Sequence, residues 1–312
     1  MTFTTRFAPS PTGPLHLGHA YSAILAHDMA MAEGGAFLLR IEDIDQSRAR
    51  PAWEAQIYED LEWLGLWWPK PVMRQSERLS NYRAALTTLW ELGLLYPCTC
   101  TRKDIEAAAS APQEGVPAFG PDGLIYPGTC RGNMAFERTF PENHPLPGGA
   151  VLRLDMQLAC DFAGNFEHRV TGSDTPWQWI AGFQETGTSP DGRTGLIEFT
   201  PEEMLDTVGD IVVARKDMGT SYHLSVVVDD AAQGITHAVR GQDLFDATKI
   251  HVVLQAVLGL PTPIYHHHRL IRDEAGKRLA KRDDARAIAK YRAEGATPQD
   301  IREMVGLPLL SG

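Results

Sequence analysis

The first hundred residues alternate short apolar stretches with longer segments that repeat apolar positions at helical spacing. Strands are predicted at 4–8 and at 36–41, where the sequence AFLLRI is apolar enough to be buried in a sheet. Helices are predicted at 18–33, from Pro51 onward, and at 78–92. This alternation of strand and helix predicts an α/β fold, in which helices pack against a parallel sheet.

The remainder of the chain begins with a less regular segment. Residues 98–147 are rich in Pro and Gly and hold three of the four cysteines, so they are predicted to form an inserted subdomain. Regular structure is predicted again at 151–154, 210–214 and 222–228, followed by a helix at 247–258. Two short helices are predicted in the tail.

Composition narrows the class of protein. The chain has 312 residues, 43% of them hydrophobic and 22% charged, which is ordinary for a globular protein of about two domains. The sequence has no apolar run near the roughly 20 residues that span a bilayer, and its first residues lack the pattern of a signal peptide. Four cysteines are too few for a disulfide framework. A cytoplasmic location is therefore expected, with no membrane partner.

Charge is unevenly distributed along the chain. The net charge of −11 argues against a protein that coats nucleic acid non-specifically. Residues 269–292, however, contain nine Lys or Arg and only four Asp or Glu. This basic segment on an acidic chain favours a site that handles phosphate locally. The alternative is a solvated helix face of mixed charge.

Two strings have the chemistry of phosphate binding. In RFAPSPTGPLHLGH (6–19) a strand is followed by a tight turn and a helix that begins at Gly18, between His16 and His19. A helix N-terminus binds anions, imidazoles can donate to phosphoryl oxygens, and glycine permits close approach. The alternative is that the two histidines only cap or pack. The second string, GKRLAKRD (276–283), is a glycine-hinged cationic loop suited to a polyphosphate.

Together the two strings resemble signature elements of class I aminoacyl-tRNA synthetases. HLGH (16–19) is similar to their HIGH element, and RLAKR (278–282) is similar to their mobile KMSKS loop. The resemblance extends to glutamyl-tRNA synthetases through RFAPSPTGPLHLGHA, LLRIEDID (38–45), YHLSVVVDD (222–230) and GITHAVRGQDL (234–244).

The resemblance implies a Rossmann-like nucleotide-binding core in several parts. The first half of the core is expected at 1–97, a zinc-binding insert at 98–147, the second half with the KMSKS-like loop at 148–283, and a helical tail at 284–312. That tail is too short for an anticodon-binding domain. The chain therefore resembles the glutamyl-Q tRNA(Asp) synthetases, which activate glutamate without tRNA and attach it to queuosine in the anticodon of tRNA(Asp).

The cysteines suggest a metal site. Cys98 and Cys100 are two residues apart, and Cys130 follows a Gly/Pro-rich loop, but zinc prefers four ligands. From the residues alone, the candidates for the fourth are Cys160, His144 and Tyr126. The resemblance favours Tyr126, through the Y-x-x-x-C element of the glutamyl-Q family. One structural zinc is expected, and Cys160 is expected to be an ordinary buried thiol; the alternative is three reduced structural cysteines.

The resemblance also implies roles in the reaction. Residues assigned to ATP are His16, Gly18, His19, Arg278, Leu279, Ala280, Lys281 and Arg282, and those implied in catalysis are His16, His19 and Lys281. Residues assigned to L-glutamate are Arg6, Phe7, Ala8, Pro9, Ser10, Glu42, Tyr222 and Arg240. Mg²⁺ is expected with ATP, held mostly by phosphates and water. Ala280 replaces the usual serine of the loop, so a lost hydrogen bond is expected to lower the rate several-fold at most.

Other interpretations fit parts of the sequence. A truncated glutamyl-tRNA synthetase would charge a tRNA 3′ end, and a glutamate-adenylating enzyme would use an acceptor that is not tRNA. A non-catalytic RNA-binding paralogue is disfavoured by HLGH and Lys281. The run His266–His268 is expected to be a strand, because consecutive strand residues alternate between faces and do not cluster around one metal. The protein is expected to act as a monomer.

Overall fold

The computed structural model describes residues 2–109, 119–134, 145–171, 181–272 and 286–309, and side chains are described for 2–107, 119–132, 145–164, 181–272 and 286–309. The predicted cationic loop at 276–283 lies outside the described residues, as does the candidate zinc ligand His144.

The described residues form the following elements. The strands are β1 (Thr4–Phe7), β2 (Ala36–Ile41), β3 (Met73–Arg74), β4 (Leu95–Cys98), β5 (Phe119–Gly120), β6 (Gly123–Leu124), β7 (Val151–Leu154), β8 (Ala181–Glu185), β9 (Gly195–Phe199), β10 (Ile211–Ala214), β11 (His237–Gly241) and β12 (Ile264–His268). The helices are α1 (Leu17–Ala32), α2 (Pro51–Trp63), α3 (Leu79–Glu91), α4 (Arg102–Ala109), α5 (Met156–Thr171), α6 (Pro201–Thr207), α7 (Tyr222–Ala232), α8 (Ala247–Leu258), α9 (Ile288–Ala293) and α10 (Pro298–Met304).

Parallel strands form the centre of the fold. β1 pairs with β2 and β2 with β3, while β11 pairs with β12 and β12 with β8, all in parallel; β9 is added antiparallel to β8. The two groups meet at β1 and β11, because the Thr236 N–H donates to the carbonyl of Thr4 (3.0 Å). The predicted α/β fold with a parallel sheet is confirmed.

Local sequence signals account for the boundaries of the first βαβ unit. α1 begins after His16, whose side chain caps the helix, one residue earlier than predicted. The chain then turns back so tightly that a Cβ on Gly35 would lie 2.1 Å from the Phe3 carbonyl oxygen, so only glycine fits between α1 and β2. Side chains of β2 such as Phe37 and Leu39 are then buried beside α1.

A second, antiparallel sheet lies beside the first. Its strand order is β10-β7-β4, and β4 ends at Cys98, so this sheet positions the first cysteine of the cluster. Its residues Leu95, Leu154 and Ile211 belong to a large apolar core that also includes α8. Another core lies under β1, β2 and α1, and receives Ile288 and Ile301 from the tail helices.

The segment at 222–228, for which the sequence predicts only regular structure, is the first part of α7. Ser221 caps this helix by accepting a hydrogen bond from the Leu224 N–H. The segment 264–268 is a strand, as predicted for His266–His268. Among the described residues, every helix is too short or too polar to cross a bilayer.

Candidate functional site

A cleft of about 420 Å³ opens where β1, β2, β11 and β12 end and α1 begins. Its volume is in the range of small-molecule sites, and the carboxyl ends of parallel strands are where α/β folds bind ligands. The predicted site residues in its lining are Arg6, Phe7, Ala8, His16, Gly18, His19, Glu42, Tyr222 and Arg240. Two predicted residues, Pro9 and Ser10, do not belong to this lining, although the Pro9 carbonyl accepts a hydrogen bond from Glu42 N–H (3.0 Å).

One wall of the cleft is the N-terminus of α1. The Gly18 N–H donates to His16 Nδ1 and the His16 N–H donates to His19 Nδ1, both over 3.1 Å. Since Nδ1 accepts in both rings, each neutral imidazole carries its proton on Nε2. A Cβ on Gly18 would lie 3.1 Å from the His16 ring, so glycine lets that ring fold over the helix end. The histidines therefore cap the helix and also line the cleft.

The chain on either side of the predicted cationic loop reaches this wall. Leu270 and Ile271 line the cleft, and Ala287 forms a β-bridge with His16. The predicted ATP-binding residues Arg278, Leu279, Ala280, Lys281 and Arg282 themselves lie outside the described residues. Their assignment stays a prediction.

A buried charge cluster forms the floor. Asp230, on α7, accepts two hydrogen bonds from Arg6 (3.0 and 3.2 Å) and one from Arg40 (2.7 Å). Arg40 also donates to Glu42 (3.2 Å). Burial tends to raise the pKa of Asp230, but the two arginines outweigh it and the net shift is downward. Asp230 therefore remains ionised and holds Arg6 at the edge of the cleft.

Glu42, the residue that follows β2, is an acidic group in the lining of the cleft. Burial raises its pKa above the ordinary value for a glutamate, and the nearby charges of Arg40 and Arg6 offset part of that rise. A bound ammonium group would supply the additional positive charge that favours the ionised form. Glu42 is thus suited to hold a cationic ligand group.

Arg240, at the end of β11, is fixed by three neighbours. Its guanidinium donates to His267 Nε2 (3.1 Å), to His251 Nδ1 (2.9 Å) and to the Thr248 hydroxyl. These contacts engage three of its five N–H groups. The planar fork is oriented before any ligand binds, which suits recognition of a carboxylate.

Several of these supporting residues were missed by sequence reasoning. Asp230 and Arg40 are nearly or fully buried, as are His251 and His267. Asp230 had a visible signal, because it ends an apolar run and a buried carboxylate requires a cationic partner. His251 is a single histidine in an apolar helix, and His267 lies in the run His266–His268, for which the sequence predicts only a strand, so neither histidine was assigned to the site.

The cysteine cluster forms a second site, at the end of β4. Cys100 Sγ lies 3.5 Å from Cys130 Sγ and 3.3 Å from the phenolic oxygen of Tyr126, which lies 3.5 Å from Cys98 Sγ. Tetrahedral zinc with bonds of about 2.3 Å to sulfur and about 2.0 Å to oxygen separates sulfurs by about 3.8 Å and sulfur from oxygen by about 3.5 Å. The four donors fit such an ion.

Positive charge supports this cluster. Arg153 donates to Cys98 Sγ (3.3 Å), and its guanidinium carbon lies 3.8 Å from the centre of the Tyr126 ring. A nearby cation stabilises thiolates, the form that binds metal. Cys160 is buried in α5 among apolar residues, as predicted, and burial raises its pKa to about 12. It is not part of the cluster of three cysteines.

Comparisons with known proteins agree with this geometry. The family model described as tRNA synthetases class I (E and Q), catalytic domain, matches residues 2–118 and 183–310. A glutamyl-Q tRNA(Asp) synthetase of Rhodobacter capsulatus is 60% identical over 303 residues, covering 97% of this chain and 99% of the relative. One from Symbiobacterium thermophilum is 40% identical, covering 95% of this chain and 83% of the relative.

Solved structures show the same fold. A glutamate tRNA ligase from Elizabethkingia meningosepticum, in complex with its amino acid, is 26% identical with a TM-score of 0.71, covering 98% of this chain and 60% of the ligase. The chain thus spans about three fifths of that ligase. The chain belongs to the class I tRNA synthetases of the E and Q type and, within them, to the family of the glutamyl-Q tRNA(Asp) synthetases.

Proposed function

We propose that this chain activates L-glutamate with ATP in the absence of tRNA, and then transfers the glutamyl group to queuosine in the anticodon of tRNA(Asp). One observation carries the proposal: the same cleft combines a histidine-capped helix N-terminus with two arginines and a carboxylate. The first arrangement suits a polyphosphate, and the second complements an amino acid with two carboxylates and one ammonium. The relatives named above support the choice of acceptor.

Activation requires little covalent help from the protein. An oxygen of the glutamate α-carboxylate attacks the α-phosphorus of ATP, the bond to the β-phosphate oxygen breaks, and glutamyl-adenylate and pyrophosphate result. His16 and His19 donate to phosphate oxygens through Nε2, and Lys281 stabilises the leaving pyrophosphate. Mg²⁺ bound to ATP would neutralise part of the phosphate charge.

The charged floor and walls of the cleft orient glutamate. Arg6 and Arg240 bind its carboxylates and Glu42 binds its ammonium, while Tyr222, whose side chain is partly exposed, closes one side. In the second step a hydroxyl of queuosine attacks the activated carbonyl carbon, and AMP leaves. The basic segment 269–292 is proposed to contact RNA phosphates during this step.

Replacing Arg240 with alanine is expected to raise the KM for glutamate by about ten- to hundredfold, because a charge-assisted hydrogen-bond pair to a carboxylate is lost. The KM for ATP should stay within about twofold, since Arg240 is assigned to glutamate and not to ATP. Steady-state ATP–pyrophosphate exchange at varied glutamate measures both constants. Arg83→Ala, at an exposed position on α3, is the control. Equal glutamate dependence in wild type and Arg240→Ala would remove Arg240 from the site.

We also propose that Cys98, Cys100, Tyr126 and Cys130 hold one structural zinc ion. Four protein donors leave no open position for water, so the ion organises the insert and does not take part in the reaction. The separations of these donors, described above, support the proposal.

The substitution Cys98→Ser is expected to reduce bound zinc from about one ion per chain to a small fraction of that, and to lower the midpoint of thermal unfolding, because metal binding contributes to folding. Elemental analysis of purified protein and a thermal melt check both effects. Cys160→Ser removes a thiol outside the cluster and should retain the metal. Equal zinc content in Cys98→Ser and wild type would contradict the assignment.

The activation step is tested by ATP–pyrophosphate exchange with glutamate and no RNA. Exchange is expected with glutamate and is expected to be much weaker with aspartate, whose side chain is one methylene shorter and would hold its two carboxylates closer together. Zinc-loaded, folded protein that gives no exchange would overturn the proposed function. We further propose a monomeric enzyme that acts in the cytoplasm, where ATP and tRNA are found.

A further inference from the structure

A continuous row of hydrogen bonds leads away from Arg240 to the protein surface. Arg240 Nη1 lies 2.9 Å from His251 Nδ1, His251 Nε2 lies 3.1 Å from His223 Nδ1, and His223 Nε2 lies 3.1 Å from a carboxylate oxygen of Asp122. Arg240 is on β11, His251 on α8, His223 on α7, and Asp122 in the turn of the β5–β6 hairpin. The row therefore joins four separate segments of the chain.

Every hydrogen bond in the row is donated in the same direction, from Arg240 towards Asp122. An arginine can only donate, so His251 Nδ1 accepts and the ring proton of neutral His251 is on Nε2. That proton is donated to His223 Nδ1, which leaves His223 with its own proton on Nε2, pointing at Asp122. An ionised carboxylate only accepts, so Asp122 is a suitable end for the row. Each ring is held in one tautomer by the group on either side of it.

The environment keeps His251 neutral. It is 1% exposed, and burial together with the charge of Arg240 places its pKa well below the ordinary value for histidine. A neutral His251 offers Arg240 a hydrogen-bond acceptor with no competing positive charge. His223 is also buried, whereas the side chain of Asp122 is 35% exposed, so the row begins in the cleft and ends near solvent.

The hairpin that carries Asp122 is firmly seated. A Cβ on Gly120 would lie 2.1 Å from the Thr207 carbonyl oxygen at the end of α6, so the hairpin packs directly on that helix. Just beyond the hairpin, Tyr126 forms a β-bridge with Gly209. The hairpin thus fixes Asp122 relative to α6, and the carboxylate of Asp122 reaches His223 on α7.

We propose that Asp122, His223 and His251 are positioning residues that orient the guanidinium of Arg240 for the amino-acid substrate. The β5–β6 hairpin thereby helps to set the affinity for glutamate from outside the cleft. The inference rests on the proposed function, because it takes the carboxylate bound by Arg240 to be that of glutamate. None of the three residues is required to contact the substrate.

Kinetics of substituted enzymes test this inference. His251→Leu removes the acceptor for Arg240 and is expected to raise the KM for glutamate at least about tenfold, with kcat and the KM for ATP within about twofold of wild type. His251→Gln retains one acceptor and one donor and should restore the KM to within about threefold. His266→Gln, on the neighbouring strand β12 and bonded to Thr186, is the matched control.

The far end of the row has its own test. Asp122→Ala leaves the His223 N–H without its acceptor and is expected to raise the KM for glutamate about threefold, an effect smaller than that of His251→Leu because it acts through two rings. Asp206→Ala, at an exposed position on α6, should have no effect. An unchanged KM for glutamate in His251→Leu, or an equal change in the KM for ATP, would overturn the inference. An unchanged KM in Asp122→Ala would overturn the role of the hairpin.

A measurement without substrate separates this inference from the proposed function. In ¹⁵N-histidine-labelled protein, each of His223 and His251 is expected to show a protonated Nε2 and an unprotonated Nδ1 at neutral pH. A doubly protonated His251, or a proton on its Nδ1, would overturn the row of hydrogen bonds even in an active enzyme. Lack of ATP–pyrophosphate exchange in wild type, with both tautomers as expected, would overturn the proposed function and leave the row of hydrogen bonds in place.

Discussion

Replacing Asp230 with alanine is expected to lower the free energy of unfolding by about 3–5 kcal/mol, because it leaves two buried guanidinium groups without their shared counter-charge. Arg6 and Arg40 are 5% and 0% exposed, so solvent screens their uncompensated charges only weakly. The loss should also displace Arg6 from the edge of the cleft and abolish glutamate-dependent exchange.

Urea unfolding followed by circular dichroism measures the change in stability. Asp230→Asn preserves the shape of the side chain but removes its charge, so it should fall between wild type and the alanine variant. Asp161→Ala, at an exposed position on α5 where the carboxylate accepts a hydrogen bond from Gln157, controls for the loss of an acidic residue. An alanine variant as stable as wild type would show that Asp230 does not hold the two arginines together.

Replacing His19 with alanine is expected to lower the kcat of ATP–pyrophosphate exchange by about 10²–10³-fold, the range found when one positioned donor to developing charge is removed. Its Nδ1 accepts the His16 N–H, so the neutral ring carries its proton on Nε2, the atom proposed to donate to a phosphate oxygen. The KM for glutamate should change little, since glutamate is proposed to bind to Arg6 and Arg240.

Because His19 also caps α1, the stability of the variant must be measured beside its activity. Loss of a cap costs about 1 kcal/mol, so the variant should remain folded and its thermal melt should shift by only a few degrees. His237→Ala is the control for activity. His237 is the first residue of β11, and its ring stacks on Phe3. An exchange rate within about twofold of wild type in folded His19→Ala would contradict the role of His19 with ATP.

The sequence predicts the bounds of those strands and helices whose ends are marked by nearby residues. β2 and β7 coincide with the predicted ranges, because each is a short apolar run bounded by turns. α8 coincides with its predicted range at 247–258, where Gly259 ends the helix in the left-handed conformation. The segment that begins at Tyr222 was predicted only as regular structure, since an apolar run of this length fits either a strand or a buried helix.

The sequence indicates residues that line the site, but it does not indicate the buried residues that hold them in place. Resemblance within continuous blocks indicated Arg6, Glu42 and Arg240, and the structure brings all three into one cleft. Their partners could not be predicted in this way, because Asp230 is 224 residues from Arg6 along the chain and the pairing exists only after folding. The roles assigned to Lys281 and its loop remain predictions.

The proposed function is tested most directly by identifying the nucleoside that accepts glutamate. Radiolabelled glutamate, ATP and the zinc-loaded protein are incubated with tRNA(Asp) that contains or lacks queuosine, and the RNA is digested to nucleosides. Label is expected on the queuosine nucleoside of tRNA(Asp), and no label is expected on tRNA(Asp) that lacks queuosine. Label on the 3′-terminal adenosine of tRNA(Glu), with none on tRNA(Asp), would contradict the proposed function and show a tRNA-charging enzyme.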